Sequence, residues 1–349
     1  MKRRDLLARV RILGIYCFMI LSISLPYSIW AAEPIVLKAV SHLAPDNPHC
    51  RPNFPFIDMV NKRAKGELII KFLGGPEVIP SFDQPMAIKK GTIDILPLEP
   101  SSWFKPMMGG AADISGLSQI PAWKERETGA FEVYEELFRK FANAKYLGRP
   151  HGGWGFNFYT NKKIEKIEDF KGLNIRVMSL YAPFTKALGA SPVTMAPPEL
   201  YNALERRIVD GFMFPTFGIT GYAWHEVTKY KIEPQVFQAE PATLVNLDTW
   251  NKLPKHLQDL LIDVAKIIEY WGPADSLWVK EEEEYITAKA GMQVISLPQK
   301  DATLFYNLAY ETTWKKILEE SPEYGSKLQP MLRKEAVIKM KKDSGPKRN

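Results

Sequence analysis

Two cysteines are all that the 349 residues contain, and one of them, Cys17, lies in an N-terminal stretch that reads as removable. A lone Cys50 cannot staple a fold internally. A disulfide framework is therefore excluded, an ordinary hydrophobic core must hold the chain, and the thiol is expected to be buried and inert. No apolar run after residue 29 approaches the length of a membrane-spanning helix. There is no Gly-x-Ser-x-Gly, no His-Glu-x-x-His and no Cys-His pairing with a plausible third member, so no catalytic residue is assigned. His151-Gly-Gly-Trp-Gly lacks the Lys-Ser/Thr of a phosphate loop, and its glycines are read as a turn or hinge. No basic face interleaved with aromatics marks a nucleic-acid partner. His42, His49 and Cys50 cluster in a Pro-rich loop, but their spacing matches no common metal site. Neither metal nor cofactor is expected.

What is present begins with an export signal. Lys2, Arg3, Arg4, Arg9 and Arg11 precede an apolar stretch over 12–29, and Ala31-Ala32 offer a small-residue cleavage point. Ser22, Ser24 and Pro26 weaken the rival reading as an uncleaved anchor, and Cys17 lacks the small residues that a lipoprotein site needs. The reading is a periplasmic protein released by cleavage of a signal peptide over 1–32. The 317 residues left carry 41 basic and 39 acidic side chains, a net charge of +2. The sequence pI therefore says little about partners. Part of the basic excess sits in a tail over 336–349, expected to be disordered.

The remainder is long enough for two domains. Strands at 35–40, 68–73 and 92–96 alternate with helices at 54–64 and 84–90, the pattern of a parallel sheet covered by helices. A second unit begins with a strand over 153–160. It continues through strands at 173–177, 191–195 and 212–214 and helices at 182–188 and 199–207. From 254 to 290 an amphipathic pattern predicts a long helix, broken or kinked at Gly272-Pro273, that could brace both domains. The acidic run Glu281 to Glu284 reads as a solvated face. The expected fold is α/β, a two-domain clamshell with strand hinges. Its first domain takes 33–153 plus 242–281 and its second 154–241 plus 282–335.

One side chain stands out. In Asp169-Phe-Lys-Gly-Leu-Asn-Ile-Arg-Val177 the apolar Leu173, Ile175 and Val177 alternate with Asn174 and Arg176. Arg176 thus projects from one face of a half-buried strand, and its guanidinium is a permanently charged, planar fork matched to a carboxylate. An ion pair closing the domain is the structural alternative.

Several segments, in order, resemble the solute-binding proteins of tripartite ATP-independent periplasmic (TRAP) transporters, the family typified by the dicarboxylate-binding protein. They are Lys38-Ala-Val-Ser-His42 with Pro45 and Pro48, Val60-Asn-Lys-Arg-Ala-Lys-Gly66, Ala87-Ile-Lys-Lys-Gly-Thr-Ile-Asp94 and Phe170-Lys-Gly-Leu-Asn-Ile-Arg-Val177. Gly189-Ala-Ser-Pro192, Met195, Pro198-Glu-Leu-Tyr-Asn-Ala-Leu204 and Val209-Asp-Gly211 complete the set. The resemblance covers nearly all of the chain after residue 32. It implies a clamshell that captures an organic acid and delivers it to the small and large membrane subunits of a TRAP permease. It also implies that Arg176 grips the ligand carboxylate, with Ser179 touching the same group.

The departures narrow the ligand. Phe156 stands where sialic-acid-binding relatives have a second arginine, and Met213 and Phe214 replace a polar Glu-Asn pair. With Trp103, Trp154, Phe158 and Phe212 they suggest an apolar cleft around one charged anchor, suited to a monocarboxylate with a hydrophobic or aromatic body. About half of the six aromatics are expected at the ligand and the rest in the core. His42 is a candidate for the first-domain wall. Glu77 reads equally as a cleft residue or a turn cap. An exported enzyme acting on organic acids, or a sensor presenting ligand to a membrane receptor, are the alternative functions.

Overall fold

The computed structural model describes residues 33–150, 154–271 and 276–333. Strand β1 (Ile35–Ala39) pairs in parallel with β2 (Leu68–Phe72) on one side and β3 (Ile95–Pro100) on the other. After β4 (Ala144–Gly148) the chain leaves this sheet and builds a second one. Its strands are β5 (Phe156–Thr160), β6 (Asn174–Val177), β7 (Ser191–Thr194), β8 (Gly211–Pro215) and β9 (Tyr230–Val236). Then β10 (Pro241–Asn246) returns to lie antiparallel between β3 and β4, and β11 (Gln293–Ser296) joins the second sheet beside β9. The strand orders are β2-β1-β3-β10-β4 and β11-β9-β5-β8-β6-β7. The result is an α/β fold with two mixed sheets, and the described residues from Ile35 onward form one compact unit.

Helices follow where apolar spacing demands them. Helix α1 (Asn53–Arg63) buries Phe56, Ile57 and Val60. Helix α2 (Gln84–Lys90) stops at Gly91, whose φ of 72° lets its N–H reach the carbonyls of Ala87 and Ile88. Helices α3 (Ala122–Thr128) and α4 (Ala130–Ala142) lead into β4, and α5 (Ala182–Ala187) and α6 (Leu200–Glu205) belong to the second sheet. One core packs α1 and α7 (Lys255–Tyr270) on the first sheet through Leu37, Val60, Leu261 and Val264. Another backs the second sheet with Tyr159, Phe212 and Trp224. A third runs between the two sheets, from Phe104 and Phe138 to Phe158 and Phe305.

The structure corrects several expectations. The third strand lies at 95–100, not 92–96. Asp94 is drawn into a turn by accepting the Lys38 N–H at 2.9 Å, and the ladder to β10 steps over Pro97, which has no N–H to give. The pattern over 254–290 becomes two helices, α7 on the first sheet and α8 (Ser276–Glu284), followed by a π turn at Tyr285–Lys289 that places Ile286 in the second-sheet core. The expected break at Gly272-Pro273 lies outside the described residues, as do the leader over 1–32, the glycines of 151–153 and the tail over 336–349. The longest helix among the described residues, α9 (Gln299–Glu320), was not anticipated. It packs on α5 and β9 and also on the 3-10 segment Gly109–Leu117 beside the first sheet. Among the described residues no helix is long and apolar enough to cross a membrane.

The acidic run is not uniformly solvated. Glu282 is buried and accepts the N–H groups of Gly218 at 2.7 Å and Thr220 at 2.9 Å, and Glu283 pairs with Lys231. Where the chain crosses between sheets, Arg149 clasps both crossing segments. It binds Glu125 at 2.6 Å, the Ala239 carbonyl at 3.2 Å and Gln238 at 3.2 Å, and its own N–H meets Glu269 at 3.0 Å.

Candidate functional site

The ends of β3, β6 and β8 and the starts of β5 and β10 converge on one cavity of about 50 Å³. By the criterion that one water needs 10–15 Å³ of such space, it holds about four water-sized groups. Pro100 and Pro241 mark its edge on the first sheet, and Phe156, Phe214 and Pro215 on the second. Crevices at strand ends are where open α/β sheets bind ligands, because loops there are free of the sheet ladder.

Arg176 lines this cavity, held by its position in β6 between β7 and β8. Its Nε and Nη2 donate to the Met195 carbonyl at 3.2 and 3.0 Å, and Nη2 lies 3.3 Å from the Met178 sulfur. Nη1 is buried with no hydrogen-bond partner. Tyr181 also faces the guanidinium and favours its charge, through the field of its oxygen and a side-chain hydrogen-bonding interaction. Burial pulls the Arg176 pKa below the usual arginine value, and Tyr181 offsets this only in part. A buried donor left open is costly, and an anion supplied from outside would remove that cost.

The facing wall comes from the first sheet. His42 contributes an imidazole whose Nε2 lies 3.3 Å from His49 Nδ1, and burial pulls its pKa to about 4, so it is neutral. Trp103 packs edge-on against His42, and His49 packs edge-on against Trp154 and tilted against Phe214. Glu240, just before β10, accepts the Ser102 hydroxyl at 2.7 Å. Burial, helped by the nearby Asp113 charge, pushes its carboxyl up to about 7. The cavity therefore presents one fixed cation, one carboxyl poised near neutrality and a largely aromatic surround. Among the described residues no group of three His, Cys, Asp or Glu could hold a metal. Cys50 is buried, and burial pushes its thiol up to about 12, as expected of an inert residue.

Of the residues singled out from sequence, Arg176, Phe156, Phe214, Trp103 and His42 meet at the cavity. The others lie elsewhere. Phe158 packs with Phe170, Phe184 and Phe305, and Met213 lies in the same core. Phe212 stacks on Tyr159 and meets Trp224 edge-on, and Trp154 sits behind His49 against Phe217. Glu77 is exposed and caps its own turn by accepting the Gly75 N–H at 2.6 Å. Ser179 donates to Asp113 at 2.6 Å and does not line the cavity. Sequence reasoning missed Glu240, Tyr181 and Met178, none of which belongs to a local motif, and weighed His49 only as a metal ligand. A larger groove of about 690 Å³ along α9, lined by Leu117, Tyr310 and Trp314, shares no residue with the Arg176 cavity.

Residues 41–321 match the model of a family described as bacterial extracellular solute-binding protein, family 7. An uncharacterized Haemophilus influenzae protein is 36% identical over 141 residues, which span 39% of this chain but only 42% of that relative. The C4-dicarboxylate-binding periplasmic protein DctP of Rhodobacter capsulatus is 26% identical over 311 residues, 85% of this chain and 88% of its own. Among solved structures, a TRAP periplasmic solute-binding protein from Desulfovibrio salexigens with bound orotic acid superposes with a TM-score of 0.75 at 22% identity. That alignment covers 87% of this chain and 99% of the other.

Proposed function

The chain belongs to the bacterial extracellular solute-binding proteins of family 7, and from that premise we propose that it is the periplasmic receptor of a TRAP transporter. It closes two lobes over an organic acid and hands the acid to the membrane subunits. We assign 33–153 plus 242–281 to one lobe and 154–241 plus 282–335 to the other, in keeping with the strands that each sheet recruits. The ligand carboxylate sits on Arg176. The observation that carries this is a buried guanidinium nitrogen with no partner, on a side chain that lines an interlobe cavity. A receptor role, not catalysis, follows from the family.

The favoured ligand is a monocarboxylate. Arg176 is the one fixed cation among the cavity's lining residues, and His42 is neutral. A second ligand carboxylate would find no second cation among the lining residues and would lie against Trp103, Phe156, Phe214 and Glu240, at considerable cost. The apolar or aromatic body proposed from sequence is restricted in size by the roughly 50 Å³ available when the lobes are together. A small 2-oxo or aliphatic acid fits more readily than a large ring.

A thermal-shift panel of monocarboxylates, C4-dicarboxylates and sugar acids, run with the parent protein and Arg176→Ala, tests the reading. Stabilisation by small monocarboxylates that disappears in Arg176→Ala is the expected result. Preference for dicarboxylates, or stabilisation that survives the substitution, overturns it. At a hundred times its dissociation constant the ligand should stabilise the protein by about 2.7 kcal/mol.

A further inference from the structure

Three residues beyond the anchor, the chain makes a contact that nothing in the cavity explains. Ser179 follows β6 in the second lobe, and its hydroxyl donates at 2.6 Å to Oδ1 of Asp113, which belongs to Gly109–Leu117 beside the first sheet. Asp113 is buried, and its other oxygen accepts Lys105 Nζ at 2.8 Å. Lys105 also reaches Glu320 on α9 at 2.8 Å, and Glu320 takes Lys316 at 3.2 Å. On the cavity side, Ser179 Oγ lies 3.3 Å from the Ser102 carbonyl, and the Ser102 hydroxyl binds Glu240 in the cavity wall. A polar chain thus runs from the ligand cavity to an outward-facing pair on α9 and crosses the lobe boundary at both Ser179–Asp113 and Lys105–Glu320.

We propose that the Ser179–Asp113 hydrogen bond is a closure latch, making Ser179 a positioning residue that holds the lobes together once Arg176 is occupied. The division of labour in the chain supports this. Lys105 and Asp113 are eight residues apart in the same lobe, so the carboxylate is fixed and neutralised before closure. The Ser179 hydroxyl arrives with the second lobe, as does Glu320, whose partly exposed pair with Lys105 crosses the same boundary beside the latch. A serine hydroxyl is well solvated when exposed, so opening costs little, while a bond to a carboxylate is among the stronger ones a side chain makes. Because Met178 lies between Ser179 and Val177 at the end of β6, Arg176 and Ser179 move as one rigid piece. Seating the ligand carboxylate and engaging the latch are therefore one event. The latch slows escape and leaves encounter alone, since it forms only after the ligand is inside.

The proposal rests on the two-lobe receptor reading, and the test separates the two. Ser179→Ala, Ser179→Thr and Asp113→Asn are made in the mature chain. Each is also made in a version carrying Lys62→Cys and Lys186→Cys, both at exposed positions, for interlobe distance measurement by spin labels. In Ser179→Ala we expect ligand dissociation about tenfold faster, association within about twofold of the parent and a ligand-free distance distribution shifted toward open. Ser179→Thr restores the parent values, Asp113→Asn follows Ser179→Ala, and the unfolding midpoint of ligand-free Ser179→Ala stays with the parent. An unchanged dissociation rate in Ser179→Ala, or a midpoint that falls while dissociation does not change, overturns the latch. If no organic acid binds the parent, the receptor reading fails, and the ligand-free distance distribution still judges the latch.

Discussion

Arg149 and Arg176 are each about 1% exposed, and each sits at the end of a strand beside the boundary between the two sheets. Their surroundings differ in kind. Arg149 grips Glu125 through Nη2 at 2.6 Å and Nε at 3.3 Å and fills its remaining donors with the Ala239 and Ile120 carbonyls and Gln238. Arg176 has one carbonyl and one thioether, forms no ion pair among the described residues, and leaves Nη1 open. The pKa values diverge accordingly. Burial opposes the charge on both, but at Arg149 the Glu125 carboxylate, Tyr134 and Tyr146 together more than offset it and the pKa rises, while at Arg176 burial prevails and the pKa falls. The first arginine is complete within the fold. The second is complete only with something brought from outside, and that incompleteness separates a binding residue from a structural one.

The comparison breaks most visibly at Arg149. Arg149→Met leaves Glu125 buried without its cation and should lower unfolding stability by about 3–5 kcal/mol in urea titrations. Arg149→Met combined with Glu125→Met removes both charges and should recover much of that loss, because replacing a whole buried pair is often close to neutral. A single variant that unfolds at the parent midpoint would mean that Arg149 is no more committed to the fold than Arg176.

The next effect tests whether Arg176 has a hidden anion. Glu240 lines the same cavity, and an ionised Glu240 would make the two arginines alike. Burial places its carboxyl at about 7 against an ordinary 4.5, so the folded state holds that proton more tightly than the unfolded state does. The contribution is fully present below about 4.5 and is lost as pH rises through about 7, a total of about 3 kcal/mol. His42, held at about 4 against 6.5, works in the opposite sense and costs stability as pH falls below 6.5. Buried Glu99 and Asp113 are shifted upward like Glu240, so the informative quantity is a difference. Between pH 6 and 8 the parent should lose stability faster than Glu240→Gln. Parallel curves would show that Glu240 is ionised and that Arg176 has a carboxylate neighbour after all.

Glu282 extends the contrast to a buried anion, and it shows where sequence reading stops. Glu282 is satisfied by two backbone N–H groups, so Glu282→Ala should cost about 1–2 kcal/mol, while exposed Glu281→Ala should stay within about 0.5. Four consecutive glutamates look identical in sequence; only the turn of α8 chooses which one meets the 218–220 loop. The same limit governs the aromatics. Period-two alternation sorts Phe156 with Phe158 and Phe212 with Phe214, and those faces are right, with Phe158 and Met213 in one core and Phe212 and Phe214 in another. Alternation cannot say how far along a strand the covering helix extends. Phe156 and Phe214 lie near strand ends and reach the cavity, while Phe158 and Phe212 lie under helices or loops. Arg176 was legible because its strand is local. Glu240 was not, because only the return of β10 to the first sheet brings it opposite β6. Helix α9 was hidden for a third reason. Its buried seam of Phe305, Ala309, Thr313, Trp314 and Ile317 is diluted by small and polar residues, so no strong apolar stripe announces it.

The smallest expected change is the most discriminating. Arg176→Met, in ligand-free protein, should alter unfolding stability by less than about 1 kcal/mol, or raise it. It exchanges a buried, incompletely bonded charge for a side chain of similar length, and no carboxylate is left behind. The same substitution should abolish stabilisation by a monocarboxylate that protects the parent. A residue that costs the fold nothing to lose and costs the complex nearly everything is held in place for the ligand. If Arg176→Met instead falls as far as Arg149→Met, then Met195 and Tyr181 satisfy its guanidinium better than their geometry suggests. The anchor would then have to be sought on the other wall, where Glu240 could recruit only a donor.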